Sequence, residues 1–190
     1  WEATNNGPII KSDIYMGEEY DARKELSGWN TFGYDVSWDK TSVKYFDKNN
    51  LVASEGPAVR KIQEVNPVKI IPKDNGKYIF DMGQNMVGRI RLNVKGESGR
   101  IITLRHAEVL DKYGNFYTEN LRVAKQEINY TLKSNEIETY EPYFTFQGFR
   151  YVELSNFPGE PNLESITGIV IHSDMTPTGN FSCSDPLINQ

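Results

Sequence analysis

The constraint that dominates this sequence is an alternation. In residues 78–110, YIFDMGQNMVGRIRLNVKGESGRIITLRHAEVL, the apolar Ile90, Leu92 and Val94 alternate with Arg89, Arg91, Asn93 and Lys95. A helix would scatter those apolar side chains around its axis, whereas an extended backbone puts them all on one face, so the segment is a strand with one side buried. Tyr78 and Phe80, alternating about Ile79, predict a shorter strand before it. After a Gly-Glu-Ser-Gly turn at residues 96–99, Ile102, Leu104, His106 and Glu108 fall on one face of a third strand, with Ile101, Thr103, Arg105, Ala107 and Val109 on the other. That makes a hairpin. Between the first two strands lies DMGQNMVG, residues 81–88. Gly83 and Gly88 permit backbone angles or close approaches that a side chain forbids, and Asp81, Gln84 and Asn85 can hydrogen-bond an irregular backbone. The expectation is a polar knot joining two strands.

A chain of 190 residues has room for one ordinary domain, or for one domain and part of another, and the second is expected here. Its 38% hydrophobic and 12% aromatic residues can fill a core, and a 25% charged share is ordinary, so neither disorder nor a membrane protein is indicated. No apolar run approaches the roughly 20 residues that span a bilayer. A net charge of −5 without a basic cluster argues against nucleic acid and against anionic membrane, both of which need concentrated Lys and Arg. The expected partner is neutral. A single cysteine, Cys183, can form no internal disulfide and reads as a packed small side chain, and two histidines give no zinc-like spacing. The chain opens at Trp1 in what reads as a running strand, without Met and without a leader, so a natural start is not expected there.

In order, Asn5-Asn6-Gly7-Pro8 is a turn signal, residues 9–15 a strand, and residues 17–23 a polar segment without helical period. Residues 1–29 have too few apolar positions to fold alone and read as the last strands of a preceding domain. Residues 30–66 read as a long connector held by Trp29, Phe32, Tyr34 and Trp38. A short strand at residues 67–71 opens the main domain. Asp111-Lys-Tyr-Gly-Asn115 is a turn; its aspartate could suggest calcium, but the alternate acidic ligands of such a loop are missing. Residues 119–125 form a loop, Ile128, Tyr130 and Leu132 mark a strand, and ETYEPYFTFQGFRYVEL, residues 138–154, offers Phe144, Phe146, Phe149, Tyr151 and Val152 as core candidates, with a bulge at Gly148. The aromatics could also form a sugar platform, though packing is the preferred role. Residues 166–171 are the last strong strand. No segment sustains a helical apolar period, so the fold class is all-β, two antiparallel sheets packed face to face.

Chemistry is sparse. Glycoside hydrolysis needs two carboxylates across a pocket, and with 26 acidic residues some pair can always be drawn. His106 and Glu108 share a face and read as a hydrogen-bonded pair on a partly exposed sheet. No nucleophile elbow, phosphate loop or dinucleotide fingerprint occurs. The residues alone give a β-sandwich of unknown ligand.

The runs FDMGQNMVGRIRLNV, LRHAEVLDKYGNFYTENLR, YEPYFTFQGFRYVEL and FSCSDPLINQ, in that order, closely resemble the bacterial alpha-L-rhamnosidases, and SDIYMGEEYDAR resembles the end of that family's N-terminal β-domain. Gln147 departs from the pattern, which has His before Gly-Phe-Arg-Tyr. The resemblance implies a concanavalin-like, jelly-roll β-sandwich over residues 67–172, remnant strands of a preceding β-domain at 1–29, a connector at 30–66, and a linker with the start of the catalytic domain at 173–190. It implies that Asp81, Gly83, Gln84, Asn85, Gly88, His106, Glu108, Gly148, Phe149 and Arg150 are motif residues with structural roles. The family's acid and base lie on a helical barrel, so no catalytic, cofactor-binding or metal-binding residue is carried over. The parent resembles an inverting glycosidase that removes terminal alpha-L-rhamnose, in the bacterial cytoplasm, periplasm or outside the cell. The expected partner is the barrel of the same polypeptide, with carbohydrate as a second one; a stand-alone sugar-binding module and a structural spacer are the competing readings, and an L-rhamnose titration separates them.

Overall fold

The computed structural model describes residues 2–35 and 37–189. Trp1, expected inside a running strand, and Gln190, the end of the last motif, lie outside them. Twelve strands are described: β1 (Glu2–Ala3), β2 (Ile9–Asp13), β3 (Gly17–Asp21), β4 (Asp39–Lys40), β5 (Val59–Val65), β6 (Lys69–Lys73), β7 (Lys77–Lys95), β8 (Ile101–Ala107), β9 (Glu127–Thr131), β10 (Ile137–Tyr140), β11 (Gln147–Ser155) and β12 (Ile166–Ser173). Three single turns of 3-10 helix complete the regular structure, and no described helix is long and apolar enough to cross a membrane.

The fold is all-β, as expected, but instead of two purely antiparallel sheets face to face it has one curled mixed sheet of ten strands, with β1 and β4 paired separately as a two-stranded antiparallel ribbon. Eight strands follow one another in the order β2-β3-β9-β8-β11-β7-β12-β5, and β6 and β10 pair against further stretches of β7. All of these pairings are antiparallel except β3 with β9, where Gly17–Asp21 runs parallel to Glu127–Thr131. That pairing joins segments more than 100 residues apart without a hairpin, which is why local turn signals could not announce it.

β7 lets one sheet enclose a core. Where two strands joined by a knot were expected, residues 77–95 form one continuous strand of 19 residues, because partners accompany it on both sides of the irregular segment. Its first residues lie between β6 and β11, and its last lie between β12 and β10. The expected alternation holds along its second half: Ile90, Leu92 and Val94 are buried and the intervening side chains face outward. Phe80, Leu92, Leu104, Ile128, Phe149 and Ile166, from five strands, meet in one cluster of fully or nearly fully buried side chains. Each such side chain stabilises the fold by about 1.5–3 kcal/mol relative to exposure.

Several other expectations are corrected. Residues 17–23, read as an irregular polar segment, include β3, with Gly17, Glu18 and Tyr20 buried. Residues 30–66 contain β4 and β5, and β5 is a full partner of β12. The proposed aromatic pins do not hold this stretch: Trp29 and Phe32 are exposed, and Tyr34 meets Trp38 rather than the core, at 6.0 Å between ring centres. In β11 and its approach the face is reversed, since Thr145 and Gln147 point inward while Phe144 and Phe146 are exposed. Phe149 and Val152 are buried as expected, and Tyr151 is half-buried.

Candidate functional site

The family-motif residues gather at the bend of β7. Phe149 pairs with Met86 and Tyr151 with Asp81, so Met82, Gly83, Gln84 and Asn85 lie opposite Arg150 alone. This is a large bulge, and side chains fill the gap left in the ladder. Arg150 grips Asp81 with two parallel bonds, Nε to Oδ1 at 2.9 Å and Nη2 to Oδ2 at 3.0 Å, and its guanidinium also lies over the Tyr151 ring. Asp81 Oδ1 accepts the backbone N–H of Gly83 at 2.8 Å as well. Hydrogen bonding from Arg150 holds the Asp81 carboxyl below its ordinary range, against the opposing effect of partial burial. Gly83 has φ +79°, a left-handed backbone that a β-carbon disfavours, and it would also crowd Val68 at 3.1 Å. Gly88, two strand pairs further on, has no room at all: a β-carbon would sit 2.1 Å from the Ile169 carbonyl oxygen. Gln84 is exposed.

His106 and Glu108 do not pair. β8 ends at Ala107, and Glu108 turns outward to accept Asn85 Nδ2 at 3.2 Å, close to Gly148. His106 is fully buried, packed edge-on to Phe149 at 4.9 Å, and its Nδ1 donates to the Gln126 carbonyl at 2.8 Å. Burial pushes its pKa down to about 4, so the ring is neutral near pH 7. Among the described residues its Nε2 has no partner, nor has Oε1 of Gln147, the position that departs from the family pattern. Gln147 Nε2 donates to Thr145 Oγ1, which in turn donates to the Asp13 carbonyl, so Gln147 ties β11 to the β2–β3 turn.

A second cluster was not foreseen. Tyr20, Tyr130 and Tyr140 lie with ring centres 4.4–5.8 Å apart, and each hydroxyl donates to a different carboxylate: Tyr20 to Glu25 at 3.1 Å, Tyr130 to Glu138 at 2.7 Å, Tyr140 to Glu18 at 2.6 Å. Burial, reinforced by those carboxylates, raises all three phenol pKa values. Glu138 is opposed by its own burial, yet bonds from Tyr130 and from the Ser134 and Lys133 backbone hold it below its ordinary value. The meeting of Tyr20 with the other two rings required the parallel pairing of β3 with β9, which no local pattern announces. Beside this cluster opens a groove of about 860 Å³, lined among others by Tyr20, Glu25, Trp29, Trp38, Tyr143 and Phe144.

Asp111 is a turn residue, its carboxylate filled by the N–H groups of Tyr113 and Asn115 and by the Asn115 amide. Among the described residues no three His, Cys, Asp or Glu side chains converge as metal ligands would. Cys183 is half-buried in the C-terminal stretch, 3.6 Å from the Asp185 carbonyl.

The concanavalin-like domain of bacterial alpha-L-rhamnosidases matches residues 71–172, more than half of the chain. The chain belongs to that family. The N-terminal domain of alpha-L-rhamnosidases matches residues 1–63. The alpha-L-rhamnosidase of Streptomyces avermitilis is 44% identical over 194 residues, a match that takes in all of this chain and 18% of the relative. A crystal structure of the Streptomyces avermitilis alpha-L-rhamnosidase complexed with L-rhamnose superposes on 96% of this chain and 18% of its own with a TM-score of 0.88. The alpha-L-rhamnosidase structure from Dictyoglumus thermophilum gives 39% identity and a TM-score of 0.90 over 96% of this chain and 21% of its own. The chain thus spans about a fifth of the length of these rhamnosidases and corresponds to their N-terminal β-domains.

Proposed function

We propose that this chain is the non-catalytic β-region of an alpha-L-rhamnosidase, a rigid support for the helical catalytic domain that hydrolyses terminal alpha-L-rhamnose from glycosides or polysaccharides. The observation that carries this reading is the 44% identity to the Streptomyces enzyme across all of this chain against only 18% of that enzyme. The geometry supports it: the motif residues, from Asp81 and Gly83 to Gly148 and Arg150, are spent on bonds that shape the bend of β7 and leave no pair of free carboxylates across a cleft. We assign these residues structural roles, with residues 67–172 as the body of the sandwich, β2, β3 and β5 as strands that residues 1–66 add to its sheet, and 173–190 as the passage to the catalytic domain. The test replaces the matching 194 residues of the Streptomyces enzyme by this chain and assays an aryl alpha-L-rhamnoside. The chimera is expected to turn over and the isolated chain is not; an inactive, separately unfolding chimera refutes the support role. A second reading, sugar binding, is favoured by the groove beside Tyr20, where indole and phenyl faces stand next to carboxylates. Saturable quenching of tryptophan fluorescence by L-rhamnose would establish it.

A further inference from the structure

The two regions that match separate family domains, residues 1–63 and 71–172, share one sheet. β9 is paired on one side by β8 of its own region and on the other by β3, which arrives from the first region and runs parallel to it. Without β3, β9 would end the sheet with a row of unpaired backbone groups. The pairing begins at Gly17. A β-carbon there would lie 1.9 Å from the Glu127 carbonyl oxygen, and φ is +105°, so the close approach is one that glycine permits. Just before it, the Tyr15 carbonyl accepts the N–H groups of Lys125 and Gln126, and the Met16 carbonyl accepts that of Glu127. Glu18 then accepts the Tyr140 hydroxyl at 2.6 Å and the Phe144 N–H at 3.4 Å. Tyr20, on the same face of the strand, sets its ring 5.8 Å from that of Tyr130 and 4.9 Å from that of Tyr140. Ala22 is buried in the same core, and Lys133 pairs with Glu25.

The covalent link between the regions is slight by contrast. β4 belongs with β1, and residues 42–57 after it are exposed throughout, without strand or helix. The hydrogen bonds described for them stay within the segment, from the Asn49 N–H to Asp47 and from the Leu51 N–H to the Lys48 carbonyl. We propose that the β9 edge, with Tyr130 and Tyr140 beside it, is a strand-acceptor site, and that residues 9–25 are its donor. The ligand class is an extended acidic segment that presents glycine, then glutamate, then tyrosine two residues further on. Main-chain bonds to β9 supply affinity, and the places for Glu18 and Tyr20 supply selectivity, as in other additions of a strand to a sheet edge. The boundary between the two family regions is then not a folding boundary: the second region's sheet is completed by a strand from the first. The link through residues 42–57 only holds the donor at a local concentration in the millimolar range, and the contacts themselves keep it in place.

The test cuts that link in the whole chain. A recognition sequence for a site-specific protease, inserted between the exposed Ser54 and Glu55, is cleaved to completion in the folded protein. The two pieces should elute together at the mass of the uncut chain and melt in one transition whose midpoint rises with protein concentration. Glu18→Ala should raise the dissociation constant of the cut pieces at least tenfold while leaving the far-ultraviolet circular dichroism of the uncut chain unchanged. Gly17→Ala should separate the cut pieces at micromolar concentration, whereas Gly7→Ala, whose β-carbon meets nothing within 4 Å, should leave them together. Pieces that separate in native buffer without any substitution overturn the proposal. So does a C-terminal piece that keeps the midpoint of the uncut chain once its companion is removed. A dissociation constant that Glu18→Ala leaves unchanged overturns the selectivity on which the site is defined.

Discussion

Replacing Gly88 by alanine tests whether the close approach of β7 to β12 holds the curled sheet together. The added carbon would lie 2.1 Å from the Ile169 carbonyl oxygen, 3.0 Å from its carbonyl carbon and 3.3 Å from the Val170 Cα. A relaxed carbon–oxygen contact is about 3.3 Å, so the strands must part by on the order of 1 Å. All three neighbours are backbone, and none can rotate away. The separation strikes the ladder at Val170 opposite Gly88 and spreads to Ile169 opposite Arg89 and Gly168 opposite Ile90. Each hydrogen bond is worth about 1 kcal/mol net, and each buried group left unpaired costs about 1–3 kcal/mol more, so losing one or two bonds costs about 4 kcal/mol. A chain of this size loses about 2–4 °C of Tm per kcal/mol, which gives a fall of roughly 8–16 °C. Gly114→Ala is the comparison: its β-carbon meets nothing within 4 Å, and only its φ of +76° resists, at about 1–2 kcal/mol. Gly88→Val should exceed both. Thermal unfolding followed by far-ultraviolet circular dichroism measures all three, and a Gly88→Ala midpoint no lower than that of Gly114→Ala would refute the reasoning.

Asp81→Asn should cost about 1 kcal/mol at neutral pH, a modest value because Arg150 is partly exposed, and it should flatten acid sensitivity: a carboxyl held below its unfolded pKa stabilises above that pKa and loses the effect as pH falls through the folded value, so urea midpoints of wild type and variant should converge below about pH 4. The three buried tyrosines have raised pKa values, so their stabilisation is complete below the unfolded value of about 10 and is lost as pH rises above it; absorbance at 295 nm should show tyrosinate appearing together with unfolding, and separate titration of these rings in the folded state would contradict the cluster. His106, lowered to about 4, favours the folded state above an unfolded pKa of about 6.5 and loses that contribution as pH falls towards 4; its NMR ring signals should not titrate between pH 5.5 and 8. In hydrogen exchange, the amides of β3 should be protected alongside those of β8, and residues 174–189 should exchange fast; β3 exchanging with the tail would mean that the parallel pairing with β9 does not persist.

Much of the fold was legible because it obeys period two. β8 and the second half of β7 bury the side chains that alternation assigns to them, and Gly88 was singled out by its place before an apolar strand. Where the reading failed, a partner from far along the chain had changed what a residue could do. The segment at 81–88 looked like a knot between strands because its polar side chains and glycines break the alternation; β11 crosses the gap with one residue, Arg150, and β7 continues as a single strand. His106 and Glu108 share a face by spacing, yet the strand ends between them, and a buried ring and an outward carboxylate found different partners.

The same cause explains the two reversals that matter most for function. Glu18 and Glu19 made β3 look like a solvated loop, since hydropathy assigns a carboxylate to water. In the fold Glu18 is 2% exposed, and its cost of burial is met by the hydroxyls of Tyr140 and Ser12, residues 122 and 6 positions away. Phe144 and Phe146 made the approach to β11 look like core, and the same rule assigned them to the interior. They stand outside because Gln147 and Thr145 are held inside by bonds reaching the Asp13 carbonyl, which fixes the register of the strand against its own apolar preference.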